Sequence, residues 1–166
     1  MAQEKKISLD ISRFDLNQLS ELDVKGAIAK IKGKRKQNQK ALDDHYKRAS
    51  DLNSKGESEK ALELIQGGAV SDILSYSSVT DKAYKLETAG KLEQAAKVYW
   101  INIYENGSDL PYNFKRLMII LSKLKRKKEE LTVAKINCAF VSDSYREKIE
   151  KRISNIEKKI KKQERV

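Results

Sequence analysis

One pattern is written twice in this chain, thirty-four residues apart. "ASDLNSKGESEKALELI" begins at Ala49 and "AYKLETAGKLEQAAKVY" at Ala83, so Ala49 pairs with Ala83, Leu52 with Leu86, Gly56 with Gly90, Glu59 with Glu93, Ala61 with Ala95 and Ile65 with Tyr99. A fixed period of this size is the signature of a repeat architecture, in which each unit buries its apolar face only by stacking on its neighbours. The register runs through all six pairs without a gap, which a general richness in Lys and Glu does not produce.

Each unit reads as helix, turn, helix. In the first, Tyr46, Ala49 and Leu52 recur at three-residue spacing and share one face of a helix expected to run to Lys55. Gly56 then ends it, because a glycine just past the last turn takes the left-handed conformation that closes the terminal carbonyls. Ser58 is the expected cap of the next helix, whose apolar face is Ala61, Leu62 and Ile65. The small Ala61 and Ala95 let the two helices of a pair approach closely.

A third copy follows Pro111. Leu117, Ile120, Leu121 and Leu124 give one apolar face, and Leu131, Val133, Ile136 and Ala139 the next. Its turn position aligns with Arg126, thirty-six residues after Gly90, so the spacing is stretched by two and the glycine is lost.

Taken together, residues 42–140 resemble the tetratricopeptide repeat family, whose unit is a pair of antiparallel helices. The second copy carries the resemblance best. Leu86, Gly90, Leu92, Ala95 and Tyr99 fall on the family's first-helix leucine, turn glycine, large residue after the turn, small second-helix alanine and second-helix aromatic. A later alanine position holds Asn102, and Pro111 comes about four residues late, so a longer link into the third copy is expected. The resemblance implies an all-α fold, a short right-handed α-solenoid of antiparallel helix pairs with a C-terminal capping helix. A plain antiparallel helical bundle with a chance recurrence of the motif is the competing reading, and it is all-helical too.

The expected organisation is a basic helical extension over 1–41, the repeats over 42–141 and a Lys-rich helix over 142–166. In the last segment Ile149, Ile153, Ile156 and Ile160 form an a/d stripe, with Ser142 or Asp143 available as N-cap. This helix either seals the open face of the last repeat or pairs with its counterpart in a homodimeric coiled coil; roughly three heptads is the lower limit for the latter, so the cap is favoured. At the other end, Phe14, Leu16, Leu19 and Leu22 suggest a short helix or a segment packed on the first repeat. A helix from about Asp23, its cap, carries Ile28 and Ile31 on one face, and Gly33 is a candidate break in it.

Composition supports the helical reading: 39% of the residues are hydrophobic and 36% charged, with one Pro and seven Gly, too apolar for disorder and too poor in turn residues for a β-sandwich. The formal net charge of +11 is uneven. Residues 1–40 carry ten Lys and Arg against five acids, 41–114 eight against twelve, 115–141 eight against two, and 142–166 nine against five. A basic end points to an acidic or nucleic-acid partner. The lone Cys138 excludes an intramolecular disulfide, and no apolar run is long enough to span a bilayer, so a cytoplasmic location without membrane attachment is expected.

No catalytic constellation is visible, and no cofactor or metal is expected. "GKRK" from Gly33 lacks the upstream glycine and the following Ser or Thr of a phosphate loop. His45 is the only histidine and reads as an exposed helical residue, and Cys138, between Ile136 and Phe140, reads as a buried small hydrophobe.

The resemblance implies a concave groove lined by the first helix of each pair: Tyr46, Ser50 and Asn53, then Thr80, Tyr84 and Glu87, then Arg116, Ile120 and Lys123. Such a groove suits a peptide or an acidic helix of another protein, held on Tyr46, Asn53, Tyr84, Glu87, Arg116 and Lys123. Packing between helices is an equal reading for Tyr46 and Tyr84. The expected function is therefore a non-enzymatic adaptor. A nucleic-acid accessory protein competes with it, using Lys123, Lys125, Arg126, Lys127 and Lys128 and the last helix for phosphate contacts.

Overall fold

Asp23 opens the longest element. Its carboxylate accepts from the Gly26 N–H at 3.0 Å and so satisfies one of the free donors at a helix start. The computed structural model describes residues 10–66 and 73–166, the side chains of Ile65 and Gln66 excepted, so the role expected of Ile65 lies outside the described residues. Within them are α1 (Val24–Ser54), α2 (Ser58–Gln66), α3 (Tyr76–Thr88), α4 (Leu92–Tyr104), α5 (Pro111–Lys123), α6 (Lys127–Asn137) and α7 (Asp143–Glu164), preceded by 3-10 turns at Ile11–Arg13 and Leu16–Glu21. The fold is all-α, with no strand among the described residues. No described helix is long and apolar enough to cross a membrane.

Three turns in the chain are built alike. At the first, the Gly56 N–H donates to Asn53 O and the Glu57 N–H to Leu52 O, with Gly56 at φ 78°. Gly90 repeats this with Glu87 O and Leu86 O at φ 77°. At the third, Lys125 donates to Ser122 O and Arg126 to Leu121 O, and Lys125 takes φ 58°. This paired closure satisfies carbonyls that a helix end leaves free. The turn residue of the third copy is thus Lys125 and not Arg126, and the spacing is stretched by one residue. Arg126 instead precedes α6, as Lys91 precedes α4. Ser58 is likewise not a cap; it is the first residue of α2, and its hydroxyl donates to Asn53 Oδ1 at 2.9 Å.

The core is centred on α4, which packs against α3, α5, the first half of α1 and the two 3-10 turns. Ala95, Ala96, Val98, Tyr99, Trp100 and Ile103 are all buried there with Phe114, Leu117, Ile120 and Leu121 of α5. Each fully buried large apolar side chain contributes about 1.5–3 kcal/mol relative to exposure. Leu16 and Leu19 reach α4 and α6, so the N-terminal segment docks on the later helices and not on the first pair. α7 packs on α6, with Ile156 buried and Ile149 and Ile153 half-buried against the core. Three of the four isoleucines of the stripe, Ile149, Ile153 and Ile156, are therefore packed within the chain.

α1 runs without interruption past Gly33 and across residues 41–42, roughly 46 Å at 1.5 Å per residue. Gly33 does not break it, because Ile31 is buried on one side of it and Arg35 and Asn38 bond to the loop before α5 on the other. That loop needs Gly107: its φ is 68°, and an added Cβ would lie 2.7 Å from Lys34 Cγ and 3.2 Å from the Arg35 N. Beyond Asn38, α1 packs chiefly on α2, through Ala49 and Ala61. One neighbour covers only a narrow strip, so Leu62, expected on the apolar face, is 57% exposed and Tyr46 is 50% exposed. His45, expected at the surface, is buried edge-on to Tyr46 because the strip falls on residues 45 and 49. The remaining helices pack in order, α3 on α4, α4 on α5, α5 on α6 and α6 on α7.

Candidate functional site

α5 and α7 both pack on α6, and between them they leave a groove of about 1130 Å³. Its apolar lining comes from Phe114 and Met118 of α5, Phe140 after α6, and Ile149 and Ile156 of α7. Spacing explains why these residues meet. Pro111, Lys115, Met118 and Ser122 follow one another at four, three and four residues along α5, and Lys148, Lys151, Asn155 and Lys159 at three, four and four along α7. Each helix therefore presents one continuous row to the groove.

Arg152 ties the walls to the floor. It donates to Glu130 of α6 through Nε at 2.9 Å and Nη2 at 2.6 Å, and Nη2 reaches Met118 O of α5 at 3.2 Å. Glu130 is buried, so this pair consumes the acid on the groove floor. Arg35 closes one end. Its guanidinium lies 4.4 Å from the Phe140 ring centroid, its Nη2 donates to Ser108 O at 3.0 Å, and its buried Nε has no partner. Burial pulls the Arg35 pKa below the usual arginine value, and nearby Asp109 partly opposes this.

The rim is basic. Lys115, Lys125, Lys127, Lys148, Lys151 and Lys159 line the groove, and among the described residues none of these six has a carboxylate within ion-pair distance. A second hollow of about 360 Å³ lies between α3 and α5, bounded by Ser77, Thr80, Asp81, Tyr84, Leu110 and Tyr112. Tyr112 lines both, so the two concavities adjoin.

The residues expected from sequence are dispersed by this geometry. Tyr84, 49% exposed, lines the smaller hollow. Tyr46, Ser50 and Asn53 are exposed on the second half of α1 and line neither cavity. Glu87 and Arg116 are spent on each other: Arg116 donates to both Glu87 oxygens, through Nε at 3.1 Å and through Nη2, and the Tyr99 hydroxyl donates to Glu87 at 3.2 Å. The Arg116 bonds hold Glu87 below the usual carboxylate range, while burial and Glu87 raise the Tyr99 phenol. Thr80 is buried against Asn102 and Asn113, and Ile120 is fully buried in the core, so the groove-facing expectation for Ile120 is corrected. Lys123 is exposed and lines neither cavity.

Of the basic run, Lys125 and Lys127 line the groove, and Lys128 is exposed outside it. Arg126 bonds Asn17, Glu93 and Glu129 and acts as a brace between the N-terminal turn, α4 and α6. Sequence reasoning missed Arg35, Tyr112, Lys115, Lys148 and Lys151. The lysine row of α7 was readable beside its isoleucine stripe; the contribution of Arg35 was not, because α1 is remote in sequence. Cys138 is half-buried at the end of α6, and burial raises its thiol pKa. Among the described residues no group of three or more His, Cys, Asp or Glu could hold a metal ion. No family model, curated protein or solved structure matches this chain.

Proposed function

We infer that this chain is a non-enzymatic interaction module, a short TPR-like solenoid of antiparallel helix pairs closed by α7, which presents a groove to a segment of another protein. The three like turns at Gly56, Gly90 and Lys125 support the repeat reading, as does the consecutive packing from α3 to α7. The first pair departs from a regular stack, since α2 packs chiefly on α1. The observation that carries the functional reading is the pair of hollows on either side of α5, one beside Tyr84 and one between α5 and α7, with Tyr112 in the lining of both. Exposed tyrosines give contact area at low entropic cost, and an apolar floor with a polar rim is the anatomy of a protein interface.

Nucleic-acid binding is the second reading, favoured by the six groove lysines that have no carboxylate partner among the described residues. The half-buried Phe140, Val141 and Ile149 weigh against it, because a phosphodiester backbone gains little from apolar surface. The test is affinity capture from host lysate at about 0.15 M salt, with and without nuclease, followed by mass spectrometry. A discrete protein that persists after nuclease and is lost with Tyr84→Ala supports the interaction module. Capture that disappears with the nucleic acid overturns it.

A further inference from the structure

We propose that the groove between α5 and α7 is the seat of an acidic amphipathic helix from a partner protein. The proposal rests on the interaction-module reading and names the chemistry of the partner. Three observations carry it.

First, α5 and α7 stand apart on a shared neighbour, and the groove between them exposes apolar surface of the half-buried Phe140, Val141 and Ile149, with Tyr112 and Tyr145 exposed beside it. An apolar strip between two helices is what a third helix covers with positions i, i+3 or i+4, and i+7. Second, lysines line the groove from both walls, Lys115 from α5 and Lys148, Lys151 and Lys159 from α7, with Lys127 at the start of α6 between them. A helix flanks its apolar face with side chains on both sides and can place Glu or Asp against both rows at once. An extended strand sends its alternate side chains to solvent, away from the rims. Third, the two acids of the groove are answered from within the chain: Glu130 is bonded by Arg152, and Asp109 lies beside Arg35. The uncompensated charge is positive, so an acidic helix is attracted and a basic one repelled.

The α7 residues that line the groove, Tyr145 to Lys159, span roughly 21 Å at 1.5 Å per residue. That length seats about four helical turns. Tyr145, 60% exposed on the rim, supplies contact area at one end.

The probe is a fluorescein-labelled amphipathic peptide of about four turns, with Leu along one face, Glu on both flanks and Ala elsewhere. Its control has the same composition with the Leu residues redistributed so that no face is apolar. Anisotropy titrations are run at about 0.15 M salt. Saturable binding of the amphipathic peptide is expected, at least about tenfold tighter than the control. Lys148→Glu with Lys151→Glu is expected to weaken it at least about tenfold, whereas Lys158→Glu with Lys162→Glu changes charge equally outside the groove and leaves it nearly unchanged. All four lysines are exposed, so both variants should retain the parent's circular dichroism.

Equal binding of both peptides, equal loss in both double variants, or no binding of the amphipathic probe overturns the seat. So does binding of single-stranded RNA, but of neither peptide, through Lys148 and Lys151. Lysate capture with the same variants separates the two readings: if K148E/K151E still captures the same nuclease-resistant protein, the seat is wrong and the interaction module stands.

Discussion

Arg152 donates twice to Glu130, and Glu130 stands where the two earlier helix pairs carry Ala61 and Ala95. The equivalence is visible in the backbone: the N–H groups of Ala61, Ala95 and Glu130 donate to Glu57 O, Lys91 O and Arg126 O, each the residue that follows a left-handed turn. A buried carboxylate has taken the place of a methyl group, and the last helix supplies its counter-charge. α7 is thereby fixed to α6 and, through Met118 O, to α5.

Breaking that pair should be asymmetric. Arg152→Ala leaves a buried acid without a partner and is expected to cost about 3 kcal/mol, whereas Glu130→Ala leaves a partly exposed arginine that water can solvate and should cost less. The double variant Glu130→Ala with Arg152→Ala should recover more than half of the larger loss. Urea midpoints at unchanged m-value measure all three. A double variant as unstable as Arg152→Ala would mean that the arginine acts through packing alone.

The three turns make a graded set. Lys125→Gly should stabilise by up to about 1 kcal/mol, because a side chain in the left-handed region is strained. Gly90→Ala should destabilise by about 1 kcal/mol through the same strain alone, since no atom lies near its added methyl. Gly107→Ala should cost more than Gly90→Ala, because its methyl also meets Lys34 and the Arg35 backbone. Thermal melts of the three variants give the order directly.

Glu87 ties stability to pH. Its folded pKa is held below the ordinary carboxylate value, so the unfolded chain binds the proton more readily. The contribution is fully present above the ordinary pKa near 4.5 and is lost as pH falls through the depressed folded value. Glu87→Gln should therefore lower stability by about 2 kcal/mol at pH 7, and the difference from the parent should shrink towards pH 3. Denaturation at the two pH values tests this; a gap that stays constant would assign the loss to packing.

Tyr84 should separate binding from folding. Half its surface is exposed, so Tyr84→Ala should change stability by no more than about 0.5 kcal/mol while weakening partner binding by about 2 kcal/mol. Melting temperature and pull-down yield, read on the same preparation, decide it.

The helix pairs were legible because a left-handed glycine is a local requirement that repeats with the unit, and Gly56 and Gly90 state it openly. The third turn was read one residue late because Lys125 adopts the same conformation without the residue that announces it. Glu87 and Arg116 were picked as groove residues from their register, but charge and proximity joined them to each other, which one-dimensional spacing does not reveal. Burial of His45 depended on which strip of α1 the single neighbour α2 covers. The groove itself is assembled from α5, α6, α7 and Arg35 of α1, and no window of sequence contains all four.

α1 is held to the body of the fold through its first half, by Ile31, by the bonds of Arg35 and Asn38, and by the close seat of Gly107, while its second half stands out with α2. Because nothing interrupts the helix at Gly33, the exposed hairpin around Tyr46 and Arg35 at the mouth of the α5–α7 groove lie on one continuous ladder of backbone hydrogen bonds, roughly 16 Å apart at 1.5 Å per residue.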